Sequence, residues 1–210
     1  NLPKNLTFFS SHGRNTLKGN LKDFPQSLTY LRCFGRSSIS GDIKDLPPNL
    51  TEFLFGGYGN ISGDISNLPK ELTNFYCTAK NSITGDISKF PKIITNIYWN
   101  ENDIQVEYTS GREWAPKMLT VHIRPRANGG LSTNKVDALL IDLAKTTWAG
   151  TKRVWLGGNN EPRSNASDEA VSKLKESKVS VTCNVANPEA AAPLSPTPKA
   201  VATTAPPPTL

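Results

Sequence analysis

The side chains best suited to chemistry are three aspartates at a regular interval. Asp42, Asp64 and Asp86 lie 22 residues apart, and each follows a glycine. Carboxylates stacked at such a spacing could ligate a divalent cation. The same Gly-Asp pair is also typical of a turn in which the carboxylate accepts hydrogen bonds from nearby backbone N–H groups. We favour the turn, because no second oxygen-rich column accompanies the aspartates, and we expect no metal and no other cofactor.

Groups suited to catalysis are few. The two histidines, His12 and His122, lie in different halves of the chain. The sequence contains no G-x-S-x-G, H-E-x-x-H or C-x-x-C motif and no glycine-rich phosphate loop. We expect Cys33, Cys77 and Cys183 to be small core residues, and their odd number leaves the redox compartment open. The chain is therefore predicted not to be an enzyme.

The chain is moderately basic, with a net charge of +6. Five basic residues of its second half could form a patch: Arg124, Arg126, Lys152, Arg153 and Arg163. Acidic residues are interleaved with them, which favours an ordinary solvated surface, and nucleic-acid binding would require a denser basic stripe with stacking aromatics. No apolar run is long enough for a transmembrane helix. We therefore expect no nucleic-acid partner and no membrane span.

A repeat of 22 residues must position these side chains. Prolines recur at that interval: Pro3, Pro25, Pro47, Pro69 and Pro91. Leucine, threonine and glycine columns keep the same step, and a strict period of this length predicts a solenoid, because one unit cannot bury its apolar face alone. The proline favours an extended residue before it. The glycine before each aspartate supplies a tight turn or a close backbone approach.

The strand-forming part of each unit is L-x-x-L-x-L, as in residues 72–77, where apolar side chains follow at spacings of three and two. The fifth unit continues to the full L-x-x-L-x-L-x-x-N-x-L spacing with Asn102 and Ile104, whereas earlier units carry one extra residue before the polar position. At these residues the chain resembles the leucine-rich repeat family over positions 1–106. The resemblance implies an α/β fold, a right-handed solenoid with a parallel sheet on its concave face. It also implies macromolecular binding rather than catalysis.

In the second half the period fails and longer elements appear. We predict strands at residues 118–123, 153–156 and 179–183, a helix capped by Ser132 or Thr133, and a helix at 168–177 capped by Ser167. The apolar stripe of the first helix consists of Val136, Leu139, Leu140 and Leu143. The resulting β-α-β-α-β order favours parallel strands, and we expect residues 107–184 to cap the solenoid as larger repeats.

Two segments of this half carry a second resemblance. Residues 131–143, and residues 154–162 with Asn159 in an L-x-L-x-x-N pattern, are similar to C-terminal segments of repeat proteins from Bacteroidota surfaces and their bacteriophages. The resemblance implies an extracellular location, on a cell surface or a virion.

The two ends of the chain differ from its body. Residues 185–210 are rich in proline and alanine and cannot pack a core, so they form either an assembly element or a flexible spacer. The repeats begin in mid-unit at Asn1, and we expect further chain or a partner to cover that end.

The outward positions of the concave sheet vary between units, whereas the inward positions keep their type. Their aromatic, arginine and leucine side chains are the candidate binding residues: Phe8, Tyr30, Arg32, Phe34, Leu54, Tyr76 and Tyr98. Exposed aromatic and arginine side chains are typical of interface hot spots. The alternative is that these side chains are ordinary sheet surface.

Two functions remain open at this point. The first is a non-catalytic recognition or adhesion module that binds a protein or a surface glycan through the concave sheet. The alternative is an architectural subunit of a virion or appendage, whose surfaces and tail contact neighbouring subunits. An unoccupied concave face favours the first, and a face buried by another chain favours the second.

Overall fold

The computed structural model describes residues 2–13, 17–78, 82–100, 106–125 and 129–184. The described residues form two parallel sheets and two α-helices, which confirms the predicted α/β class. The large sheet has eight strands in the order β1 (Phe8–Ser11), β3 (Tyr30–Phe34), β5 (Glu52–Gly56), β7 (Asn74–Thr78), β9 (Asn96–Asn100), β11 (Met118–Arg124), β12 (Trp148–Leu156) and β13 (Ser180–Cys183).

A small sheet of five strands is the part of the architecture that we did not predict. Its order is β10 (Val106–Glu107), β8 (Ser82–Asp86), β6 (Ile61–Asp64), β4 (Ser38–Asp42) and β2 (Lys18–Asn20). Each of the first four units therefore supplies one strand to each sheet, and a short 3₁₀ turn leads from the small sheet back towards the large one. The predictions for Asn102, Ile104, Arg126 and the tail 185–210 concern residues outside those that the structure describes.

The threonine column joins consecutive units. The backbone N–H of Thr51 donates to the Thr29 carbonyl at 2.8 Å, and its Oγ1 donates to the same oxygen at 2.9 Å. Thr73 repeats both bonds to Thr51 at 2.9 and 3.1 Å. These hydroxyls therefore add a second hydrogen bond between consecutive units at each step of the threonine column.

The aspartates accept local backbone hydrogen bonds, as we favoured, but the Gly-Asp pairs themselves end strands of the small sheet, and each aspartate caps the 3₁₀ turn that follows. Asp42 Oδ1 accepts a hydrogen bond from the backbone N–H of the residue two positions later, Lys44, at 2.9 Å. Asp64 and Asp86 accept the equivalent bond, each at 2.8 Å. Gly63 has a φ of 120°, and a Cβ atom there would lie 2.4 Å from Asp42 Oδ1. Only glycine fits such a position, because both its backbone conformation and its surroundings exclude a side chain. Close approach of successive units thus explains this column.

The core lies between the sheets and consists of the inward columns. Phe53, Phe75 and Trp99 are fully buried on three neighbouring strands, with ring centroids 5.9 and 6.1 Å apart. Cys33 and Cys77 are buried in the core, as predicted. Cys183 is only partly buried, because it lies on the last described strand of the large sheet.

The second half has the predicted β-α-β-α-β order, with α1 at Thr133–Leu143 and α2 at Asp168–Glu176. The four apolar side chains of the α1 stripe are fully buried. Strand β12 begins at Trp148, five residues before the predicted start. Ser132 is the N-cap of α1, but its side chain forms no capping bond, and Glu161 Oε2 instead accepts from Thr133 N at 2.7 Å.

Arg112 connects the two halves. Its guanidinium donates to the carbonyl oxygens of Ser88, Phe90 and Pro91 at 2.5, 2.6 and 2.9 Å, and it stacks on the Trp114 ring at 4.3 Å. One cation thus satisfies three carbonyls in and directly after the 3₁₀ turn Ile87–Lys89. The second half is thereby fixed to the repeats.

The buried asparagine of the second half is Asn160, and our assignment of Asn159 to that position is wrong. Asn159 is exposed, while Asn160 is 2 % exposed. Asn160 Nδ2 donates to the carbonyls of Ile123 and Gly157 at 2.9 Å each, and Oδ1 accepts from Leu131 N at 2.9 Å. The extra residue before the polar position, which the early repeats also carry, displaces the asparagine by one.

Candidate functional site

The register of the large sheet brings side chains of both halves of the chain onto one face. In β9 the side chain of Tyr98 points outward between the buried Ile97 and Trp99. The strand register pairs Tyr76 with Tyr98, Tyr98 with His122, and His122 with Trp155. The central outward column therefore continues from the repeats into β11 and β12: Ser10, Arg32, Leu54, Tyr76, Tyr98, His122, Trp155 and Thr182.

Four of these residues form a continuous row of ring contacts that we call the aromatic ladder: Tyr76, Tyr98, His122 and Trp155. Ring centroids are 4.5 Å apart for Tyr76 and Tyr98, 4.1 Å for Tyr98 and His122, and 4.7 Å for His122 and Trp155. Neighbouring strands are separated by ~4.8 Å, so the rings stack in the direction in which strands follow one another. The Tyr76 and Tyr98 planes differ by only 10°. These two rings are therefore nearly parallel and stack face to face, and both side chains are partly exposed.

A guanidinium lies at each end of the ladder. The Phe34 ring is 5.4 Å from Tyr76, and the Arg32 guanidinium lies 5.1 Å from the Phe34 ring centroid. At the other end the Arg124 guanidinium lies 4.8 Å from the Trp155 ring centroid. Cation–π contacts of this kind fix the orientation of both partners. The face thus carries a preformed apolar ridge between two cations.

The structure divides the seven predicted site residues into groups. Arg32, Phe34, Tyr76 and Tyr98 belong to the ladder or its first end. Phe8 and Tyr30 form a separate stacked pair, with ring centroids 4.3 Å apart, and Phe8 is 57 % exposed. Leu54 lies in the central column between Arg32 and Tyr76 and contributes no ring.

Sequence reasoning missed His122, Trp155 and Arg124 as members of this face. The signal was present, because His122 lies between the inward residues Val121 and Ile123 of a predicted strand. Trp155 lies in the same way between two inward residues, Val154 and Leu156. Extending the outward column beyond residue 106 would have identified both rings.

His122 is the least ordinary member of the ladder. It is 1 % exposed, and neither ring nitrogen has a hydrogen-bond partner in the described part of the chain. Burial and, to a smaller extent, the positive charges of Arg124 and Arg153 lower the pKa of His122 to about 4. The imidazole is therefore neutral at pH 7 and serves as a flat apolar plate between Tyr98 and Trp155.

The basic residues of the second half do not act together. Arg163 Nη1 pairs with Asp168 Oδ1 at 2.6 Å, and Lys152 Nζ donates to the Ser177 carbonyl at 3.3 Å. Arg124 and Arg153 form no ion pair with any described residue. Both flank the ladder, in the outward columns on either side of it.

Polar amides line the ladder on one side. Asn96 Nδ2 donates to Asn74 Oδ1 at 3.0 Å, and Asn74 Nδ2 donates to Glu52 Oε2 at 3.5 Å. This chain of side chains crosses three neighbouring strands and stays partly exposed. It provides donors and acceptors beside the apolar ridge.

The described ranges contain no cluster of three or more histidine, cysteine, aspartate or glutamate side chains that could hold a metal ion. Among the helices described here, none is long and apolar enough to cross a membrane. Comparison of the chain with models of protein families, with curated proteins and with solved structures finds no match.

Proposed function

We propose that this chain is a non-catalytic recognition module that binds a macromolecule through the outward face of the large sheet. The aromatic ladder carries the proposal. A surface with several stacked, partly exposed rings, an arginine at each end and amides alongside has the composition of a binding hot spot.

The stacking favours binding energetically. Rings held between neighbours lose little rotamer freedom when a partner arrives, so less of the interaction energy is spent on ordering side chains. A plain sheet surface does not require neighbouring rings to be matched across four strands. The repeats supply Tyr76 and Tyr98, and the second half supplies His122 and Trp155. This alignment across both halves supports a functional role for the surface.

The remaining parts of the proposal rest on the sequence. The 22-residue units and their L-x-x-L-x-L cores support assignment to the leucine-rich repeat family, and the two parallel sheets are compatible with it. The similarity of residues 131–143 and 154–162 to surface and bacteriophage repeat proteins supports display on a cell surface or a virion.

A peptide library and a glycan array test the proposal together. Phage-displayed random peptides are selected on the folded chain, glycan binding is measured in parallel, and each ligand is titrated against variants. Tyr98→Ala and Tyr76→Ala should each weaken binding about 30-fold, the equivalent of about 2 kcal/mol for a hot-spot residue. Thr84→Ala, at an exposed position of the small sheet, should leave the affinity unchanged.

Circular dichroism must show that the tyrosine variants keep the wild-type fold. Ligands that bind the tyrosine variants as well as the wild type would contradict the assignment of the face. Self-association that buries the face, abolished by Tyr98→Ala, would instead support the architectural role.

A further inference from the structure

The outward face of the large sheet is uneven in charge. Among the outward residues of its central column and the columns on either side, Arg32, Arg124 and Arg153 are cations, and Glu52 is the only described anion. Glu52 lies beside the repeats, where it accepts from Asn74. The part of the face built by β11 and β12 therefore carries two positive charges and no described carboxylate.

Two buried carboxylates of the second half are occupied elsewhere. Asp137 accepts from Ser164 and Ser167, and Asp142 accepts from Tyr108 at 2.8 Å and from Gly111 N at 2.6 Å. Both aspartates are buried in α1. Intramolecular neutralisation of the two arginines by these groups is thus excluded.

Arg124 and Arg153 lie on opposite sides of the ladder at its second end. Arg124 stacks on Trp155, which holds its guanidinium at the edge of the ridge, and its Nε has no hydrogen-bond partner among the described residues. Between the two cations lies the buried imidazole of His122, whose two nitrogens are also without partners. The partly buried guanidinium of Arg124 and the exposed side chain of Arg153, on either side of an apolar ridge, favour a ligand with acceptor oxygens.

A carboxylate matches these donors best. Guanidinium groups bind planar carboxylates through paired hydrogen bonds, and the pairing strengthens where neighbouring apolar groups exclude water. Two separate cations across the ridge favour a partner that carries at least two carboxylates. The ridge between them favours apolar side chains on the same partner.

The geometry of the rings favours protein over glycan. Sugar rings stack on exposed aromatic faces, but Tyr98 lies between two rings, and in the stacked Tyr76–Tyr98 pair each ring covers one face of the other. Arg124 and His122 both lie against the ring of Trp155. Rings whose faces are covered by neighbours suit side chains that pack beside them, as those of a polypeptide do.

We propose that the partner is an acidic protein segment whose carboxylates pair with Arg124 and Arg153 while its apolar side chains lie along the aromatic ladder. This proposal rests on the proposed function, because it names the partner class of the same face.

The test uses a glutamate–tyrosine copolymer as the acidic polypeptide and polygalacturonate as an acidic glycan of equal charge. Isothermal titration with the full chain measures both at low and high salt. Arg124→Gln and Arg153→Gln should each weaken copolymer binding about tenfold, since each removes one charge-assisted pair. Arg163→Gln is the matched control, because it removes the same charge from an arginine already paired with Asp168.

The outcomes separate the two proposals. Equal losses in all three arginine variants would show unspecific attraction to a basic protein and overturn the acidic-partner proposal. Tighter binding of polygalacturonate than of the copolymer would overturn it as well. If the arginine variants bind like the wild type while Tyr98→Ala loses library peptides, the acidic partner is wrong and the recognition face stands. Unchanged binding in the Tyr98→Ala variant would contradict both.

Discussion

Replacement of Asn160 by alanine should destabilise the fold and the second end of the ladder together. The side chain is buried and satisfies three backbone groups: the carbonyls of Ile123 and Gly157 and the N–H of Leu131. Alanine leaves all three without their partner in a site closed to solvent. Ile123 lies between His122 and Arg124 in β11, so the hydrogen bond to its carbonyl also holds this end of the ladder in place.

The size of the effect follows from these three groups. A buried polar group that loses its partner costs about 1–3 kcal/mol. A water molecule that enters the vacated space would recover part of this energy. We therefore expect Asn160→Ala to lower the free energy of unfolding by about 3 kcal/mol, a large fraction of the ~5–15 kcal/mol typical of a folded domain.

Urea denaturation followed by circular dichroism measures this change, with the slope checked for two-state behaviour. Asn159→Ala is the matched control, because Asn159 is exposed and should change stability by no more than about 0.5 kcal/mol. A loss below about 1 kcal/mol for Asn160→Ala, or an equal loss for both variants, would refute the assignment of Asn160 as the buried link.

Three further predictions concern His122, the glycine column and the core cysteines. Because the unfolded histidine binds a proton near pH 6.5 and the folded one only near pH 4, stability should fall as the pH drops below 6.5. The free energy of unfolding from urea denaturation should be about 2 kcal/mol lower at pH 4.5 than at pH 7 in the wild type, and His122→Phe should not show this loss. Equal losses in both proteins would count against a buried neutral imidazole. Gly63→Ala should cost about 2 kcal/mol of unfolding free energy in the same assay, because it strains the backbone and meets an aspartate oxygen. Gly19→Ala should be nearly neutral, since a Cβ there meets its nearest neighbour at 3.6 Å; the reverse order would disprove the close-approach argument. Burial raises the pKa of the Cys33 thiol to about 12, so iodoacetamide at pH 8 should label Cys33 only after denaturation, as peptide mass mapping can show. Rapid labelling of the native chain would contradict the inward register.

The parts of the fold that depend on side-chain type could be predicted from the sequence. The period placed Phe53 and Phe75 in one inward column because the side chains must pack on copies of themselves. The apolar stripe of α1 predicted its buried face in the same way. Both predictions rest on hydrophobic burial, which is visible in residue type and spacing.

The parts that depend on backbone partners could not be predicted. The segment Ser38–Asp42 contains a Gly-Asp pair and looks like a turn, and its pairing as a strand depends on the equivalent segments of neighbouring units. Arg112 binds three backbone carbonyls, which carry no side-chain signal. Half of the ladder was missed for another reason, since His122 and Trp155 lie beyond the point at which the 22-residue period ends.

Mapping of backbone amide chemical shifts on addition of a library-selected peptide tests the proposed binding face most directly. Strands β7, β9, β11 and β12 of the large sheet should contain the amides that shift most, centred on Tyr98 and His122. The amides of the small sheet should stay unchanged. Shifts concentrated in the small sheet or in the helices, with the ladder strands unaffected, would contradict recognition through this face.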